Sequence, residues 1–187
     1  DCPVAFLQPA PIRLRRPAPD AGELARAVAL LRQARRPLIV AGGGVLYSQA
    51  SDALAQLAGA AGIPVAETQA GKSSLPWDHP LQTGAIGVTG SPAANALARD
   101  ADLVLAVGTR LQDFTTGSHT LYANARLVSI NVNTFDAIKW GGQSVQGDAA
   151  LSLHALSSAL PDWKSDDSWQ ARARQLNAEW RQAIGDI

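Results

Sequence analysis

Pro37-Leu38-Ile39-Val40-Ala41-Gly42-Gly43-Gly44 is a short apolar run that stops in three glycines. The run is rich in branched side chains and has helix-like patterns on both sides, which together predict a buried parallel strand. The glycines lack a Cβ, so they permit positive φ and let backbone N–H groups approach a ligand closely, as a phosphate-cradling turn requires. Strand, glycine turn and helix form the seed of the fold.

Upstream, residues 1–19 hold Pro3, Pro9, Pro11, Pro17 and Pro19 with no helical period, and read as an extended linker or arm. Asp20 is a candidate N-cap, with Glu23 completing a variant capping box and Leu24, Ala27, Val28 and Leu31 forming one apolar face. Downstream, Ser48 or Ser51 can cap a second helix with Leu54, Leu57 and Ala61 on its inner face, ended by Gly62. Further strands are expected at 63–66, 83–86, 103–107, 127–132 and 144–146. Helices are expected from Ser91-Pro92 to about Arg99 and again after Gly147-Asp148. This βα alternation predicts an α/β fold: a doubly wound (Rossmann-like) sheet of about six mainly parallel strands flanked by helices. Past Pro161, Trp169, Ala173, Leu176 and Trp180 share a helix face that packs on this domain or docks on a neighbour. The expected division is a linker at 1–19, a domain at 20–160, and a C-terminal helix at 161–187 leading toward a further domain.

The 187 residues, 47% hydrophobic, suit one globular domain. Lys plus Arg and Asp plus Glu balance at 16 each, so no overall field favours nucleic acid or an anionic membrane. Arg13, Arg15 and Arg16 read as a solvated linker face. Cys2 is the only cysteine, which excludes an internal disulfide or a Cys-based zinc site and fits a reducing compartment. No apolar run approaches the roughly 20 residues needed to span a bilayer, and the first residues lack a secretory pattern, so a cytoplasmic protein is expected. A chain that opens at Asp1 and contains no Met reads as an excised interior segment.

Three signals suggest a ligand. Gly42-Gly43-Gly44, with Glu67 at the end of the next strand, imitates a dinucleotide fingerprint and its ribose-binding acid, but Tyr47 stands where the third glycine belongs. The turn is therefore a tight structural element or a remodelled ligand site. Residues 66–73, ending Gly71-Lys72-Ser73, match a relaxed P-loop whose helix Pro76 would interrupt, leaving Lys72 as a loop cation for an anion or a solvated lysine. Val107-Gly108-Thr109-Arg110 puts an arginine at the carboxyl end of a strand, where open α/β sheets bind ligands; Arg110 can meet a phosphate or lock a carboxylate. Gly43, Gly44, Lys72 and Arg110 are thus the candidate nucleotide or ligand residues. His79, His119 and His154 have no metal-ligand spacing, and no nucleophile–base pair stands out. No catalytic residue or metal ligand is assigned.

Residues 36–44, Asp78-His79-Pro80-Leu81 with Gly84 and Gly87, and residues 102–110 together resemble, in order and spacing over about 20–160, the central domain of thiamine-diphosphate-dependent enzymes. Within that superfamily, residues 67–73, Gly84-Ala85-Ile86-Gly87-Val88-Thr89-Gly90 and Asp113-Phe114-Thr115-Thr116 are similar to the trihydroxycyclohexane-dione hydrolases of myo-inositol catabolism.

That resemblance implies that the cofactor diphosphate, its Mg2+ and the activating glutamate belong to two flanking catalytic domains of the same chain. The magnesium motif, Gly-Asp-Gly with a later asparagine, is absent, since Gly147-Asp148 is followed by Ala149. The intact enzyme would cleave a C–C bond of a cyclic 1,2-dione with the cofactor as electron sink. This segment would be inactive alone and would link the catalytic domains and support a homo-oligomer, dimer or tetramer. Some relatives, such as acetohydroxyacid synthase, bind FAD in this domain; Asn131-Val132-Asn133, where they tend to be acidic, argues against FAD here. A self-sufficient FAD- or NAD-binding module is the rival reading, as is the central domain of an acetohydroxyacid-synthase-like enzyme.

Overall fold

The computed structural model describes residues 3–8 and 15–185, so Cys2, Pro9, Pro11 and Arg13 lie outside the described residues. Six strands form one sheet: β1 (Pro37–Ala41), β2 (Val65–Glu67), β3 (Gln82–Ala85), β4 (Leu103–Val107), β5 (Arg126–Asn131) and β6 (Gln143–Gln146). Their order is β3-β2-β1-β4-β5-β6 and every pairing is parallel, which is the expected doubly wound arrangement. β1, read as the seed, lies in the middle beside β4, with Ile39 opposite Leu105 and Ala41 opposite Val107.

Alternation along the strands feeds two cores. Ile39, Ala41, Leu103, Leu105, Val107, Val128 and Ile130 pack under α1 (Ala21–Gln33), α3 (Ser51–Ala61) and α7 (Ala149–Ala159). Leu38, Val40, Val104 and Ala106 pack on the other face under α4 (Pro92–Asp100) and α8 (Asp167–Gly185). β1 and β4 are wholly buried, so each Leu or Ile they carry removes its side chain from water at about 1.5–3 kcal/mol. α8 belongs to this packing: Trp169 and Ala173 are in the core, and the Trp169 indole Nε1 donates to Pro37 O at 2.8 Å.

Several helix ends match their sequence signals. Asp20, Ser91 and Asp148 accept hydrogen bonds from Glu23 N, Ala94 N and Leu151 N as N-caps, and Gly62 ends α3 in the left-handed region. Others depart. A short helix, α2 (Gly43–Tyr47), begins at the glycines themselves, and α3 starts after Ala50 with no side-chain cap, so neither Ser48 nor Ser51 caps it. The Ser48 N–H instead closes α2 on Gly44 O, and Ala50 N–H bonds Val45 O, which leaves only a three-residue link between the two helices.

Glu23 does not close a capping box. Its carboxylate reaches across to the outer edge of β6, accepting from Gln146 N at 2.7 Å and from the Ser144 hydroxyl. On the opposite edge, Asn177 of α8 donates to Gln82 O of β3 at 2.8 Å. Two more short helices, α5 (Asp113–Thr116) and α6 (Thr134–Ile138), follow β4 and β5. The described part of the arm runs to the carboxyl edge of the sheet, where Arg16 donates to Ser48 O at 2.7 Å and Asp148 N donates to Pro17 O at 2.8 Å.

Candidate functional site

β1 and β4 are neighbours, yet the segments that leave them go to opposite faces: Val45 beyond β1 joins one core and Leu111 beyond β4 joins the other. A crevice must open where they part. It is a cleft of about 440 Å³ lined by Gly43, Gly44, Tyr47, Thr68, Arg110, Asn131 and their neighbours. The structure thus brings Gly43, Gly44 and Arg110 together and leaves Lys72 out.

The three glycines do different work. Gly42 N–H donates to Val107 O at 2.8 Å and Gly44 N–H to Gly108 O at 2.9 Å, so the turn is bound to the end of β4. A Cβ on Gly44 would lie 2.6 Å from Gly108 Cα, and one on Gly42 would lie 2.4 Å from Gly108 O. Gly108 itself has φ +60° and faces Gly44 Cα at 2.5 Å from its own would-be Cβ. Two backbones cross here at a spacing only paired glycines allow. Gly43 is roomier, its nearest neighbour being Ala70 O at 3.1 Å, and it faces the cleft. With two of the three turn N–H groups engaged by β4, the turn lacks the run of free donors that a pyrophosphate cradle offers.

Glu67 looks like a ribose acid in sequence but is fully occupied. It is buried, and its carboxylate accepts from Leu75 N at 2.9 Å, Ser73 N at 3.2 Å and Gln82 Nε2 at 3.2 Å. These bonds hold the 68–75 loop, which opens with a 3-10 turn at Gln69–Gly71 rather than a P-loop helix. Gly71 sits against β1, where a Cβ would come within 2.1 Å of Ala41 O. Gln69 and Ala70 therefore meet the cleft, while Lys72 stands exposed beyond its lining.

Arg110 sits exposed at the cleft lip and, among the described residues, takes part in no hydrogen bond or ion pair; the ion pairs there are Arg16–Asp148 and Lys139–Asp136. It does not lock a carboxylate of the described fold. Asn131 Nδ2 donates to Thr109 O at 3.1 Å and its Oδ1 accepts from Asn133 N at 3.0 Å, while Asn133 caps α6 through Asp136 N. The two asparagines thus tie the ends of β4 and β5 together instead of presenting an acid to a flavin ribose. Tyr47, Gln112 and Phe114 also line the cleft. The sequence signal that places them at this edge is a position just past a strand's carboxyl end.

Nearby, burial holds the Tyr122 phenol well above its ordinary range, and its hydroxyl donates to Thr115 O at 3.0 Å, steadying the segment after α5. His79 Nδ1 accepts from Leu81 N, His119 packs edge-on against Trp140 at 3.5 Å, and His154 is exposed on α7. Among the described residues no group of three His, Cys, Asp or Glu is placed to hold a metal ion. Asp148, the one acid of the Gly147-Asp148 pair, caps Leu151 N and faces Arg16 at 3.9 Å. These residues do not fit a magnesium diphosphate. No helix among the described residues is long and apolar enough to cross a membrane.

Comparison with known proteins places the chain among relatives. The family described as thiamine pyrophosphate enzyme, central domain, matches residues 24–156. A 3D-(3,5/4)-trihydroxycyclohexane-1,2-dione hydrolase of Geobacillus thermodenitrificans is 45% identical over 192 residues, covering 100% of this chain and 30% of the relative. One of Clostridium perfringens is 38% identical over 186 residues, covering 98% of this chain and 29% of the relative. A third of Bacillus cereus, named hydrolase 2, is 43% identical over 189 residues, covering 100% and 29%. The chain spans about 30% of the length of these curated relatives.

Proposed function

Because the chain belongs to the family of thiamine pyrophosphate enzyme central domains, we propose that it is the middle portion of a thiamine-diphosphate-dependent hydrolase that opens a cyclic 1,2-dione by C–C cleavage. Its own part is architectural: it joins and orients flanking catalytic domains of the same polypeptide and supports a dimer or tetramer in the cytoplasm. The observation that carries this reading is 45% identity to a trihydroxycyclohexane-dione hydrolase across all of this chain. Thiamine diphosphate, held with Mg2+ by other parts of the parent, would supply the electron sink for the cleavage. Asp148 is a helix cap, so no step is assigned to it.

The test is to assay the full-length parent on 3D-(3,5/4)-trihydroxycyclohexane-1,2-dione. Ring opening that depends on added thiamine diphosphate and Mg2+ is expected; an inactive but folded, cofactor-loaded parent would sink the substrate reading. Calorimetry of the 187-residue chain with thiamine diphosphate and Mg2+ is expected to show no binding.

A second reading, a nucleotide-binding module, is favoured by one observation: a crevice at the point where β1 and β4 part, with Arg110 at its lip and no partner among the described residues. The engaged N–H groups of Gly42 and Gly44 and the amide clasp at Asn131 weigh against it. Titration with FAD, NAD and ATP decides: stoichiometric binding lost in Arg110→Ala would establish this module.

A further inference from the structure

At the amino ends of the two central strands, across the sheet from the cleft, lies a second concavity of about 400 Å³. Arg36, just before β1, Arg99, in the last turn of α4, and Arg172, in the second turn of α8, all line it. All three are exposed, and among the described residues none of their guanidinium groups takes part in a hydrogen bond or ion pair. The two aspartates of the lining do not answer them. Asp102 accepts from Arg35 N at 2.9 Å and from Arg36 N at 3.0 Å, so both its oxygens are spent on backbone, and Asp100 pairs with no cation. The backbone that carries the arginines is fixed. Asp102 N–H returns a bond to Arg36 O at 3.1 Å, Asp166 N–H donates to Arg35 O at 3.1 Å, and Ala101 N–H closes α4 on Leu97 O. Trp169, less than one turn before Arg172, is buried and tied to Pro37 O at 2.8 Å.

We propose that this depression binds a small polyanion, a molecule carrying two or more phosphate or carboxylate groups. Three like charges gathered at one concavity repel one another, and the concave wall concentrates their field, so an anion between them is drawn in and removes the cost. The lining keeps a net positive charge even with both aspartates ionised. Each guanidinium fork matches one phosphate or carboxylate edge through two parallel N–H···O bonds, and forks on three separate elements call for a ligand with more than one such edge. The volume lies near the lower end of the range for small-ligand sites, which suits a compact molecule. Asn124 and Ser168 add uncharged donors, and the apolar residues of the wall, Ala101 and Trp169, are buried, so an apolar ligand finds little to hold. A bound polyanion would fasten α4, α8 and the start of β1 to one another. Because the depression precedes β1 and β4 while the cleft follows them, the site stands whatever the cleft holds and whatever the parent enzyme cleaves.

Amide NMR spectra of the isotope-labelled 187-residue chain, titrated at constant ionic strength with pyrophosphate and separately with citrate, test this. Saturating shifts are expected at Arg36, Ala101, Asp102 and Ser168 with at least one of the two anions, while Gly43 and Gly44 at the cleft stay unmoved. Which anion saturates tells a phosphate site from a carboxylate site. In the double variant Arg99→Ala/Arg172→Ala both replaced side chains are exposed and make no hydrogen bond, so the spectrum away from the depression should be kept. Its Kd should rise about tenfold or more, because charge-assisted bonds from two forks are lost. No saturable shift with either anion would overturn the proposal, since spread, linear shifts report ionic screening alone. So would saturable binding that the double variant leaves unchanged, or shifts confined to Gly43, Gly44 and Arg110.

Discussion

At the residue scale, the glycine turn separates into members that cannot change and one that can. Gly44→Ala adds helix propensity to α2 but puts a methyl 2.6 Å from the Gly108 backbone, which cannot swing aside. Overpacking against backbone should dominate, and a loss of about 2 kcal/mol in urea denaturation is expected. Gly43→Ala, with 3.1 Å to Ala70 O, should change stability by less than about 1 kcal/mol. Gly43→Val should then act chiefly on the cleft it faces; equal losses for the Gly43 and Gly44 alanine variants would contradict this division. Sequence showed that three glycines close a strand, but not that Gly44 and Gly108, 64 positions apart in number, touch each other. Glu67 misled for the same reason. A carboxylate at a strand end looks alike whether it meets a ribose or the N–H of Leu75, and only the fold of the 68–75 loop decides. Removing it in Glu67→Ala leaves the buried Leu75 N–H without an acceptor, and a loss of about 2 kcal/mol is expected by the same measurement.

At the scale of elements, long periodic segments were readable and short ones were not. α1, α3, α4, α7 and α8 each run nine residues or more with clear apolar faces or caps, and their positions follow from the sequence. α2, α5 and α6 have only four or five residues, too few to show a 3.6-residue period. They are held by contacts the chain makes later, among them the bond from Tyr122 to Thr115 O. That bond predicts a pH response. Burial raises the folded phenol above its ordinary value of 10.0, so the stabilisation is fully present below about pH 10 and is lost as pH rises further, because the unfolded chain then gives up a proton that the folded one retains. Stability measured between pH 9 and 11.5 should fall more steeply in the native chain than in Tyr122→Phe, which lacks the ionisable group; parallel slopes would refute the assignment. α8 offers a second test. Trp169 is 3% exposed and hydrogen-bonded to the start of β1, so Trp169→Ala should cost about 4 kcal/mol, whereas a helix merely bound for another domain would tolerate it.

For the whole molecule, the two cores share one sheet, and the chain should unfold as one unit. Trp169 and Trp180 lie on α8, and Trp163, in the link before it, packs against the opposite core, so tryptophan fluorescence weights α8 and its approach while far-UV circular dichroism reports on every helix. The two urea transitions are expected to coincide; an earlier fluorescence transition would show α8 detaching first. The same sheet carries a consequence for handling the domain by itself. Open parallel sheets end in rows of unpaired amides that can recruit a strand from another molecule and so seed fibrous growth. Here Glu23 accepts from Gln146 N of β6 and Asn177 donates to Gln82 O of β3, so one backbone group at each border is answered from within the molecule. A charged carboxylate at one border also repels an incoming backbone carbonyl. A domain cut from its parent would therefore owe its colloidal behaviour to two side chains on α1 and α8 as much as to its core.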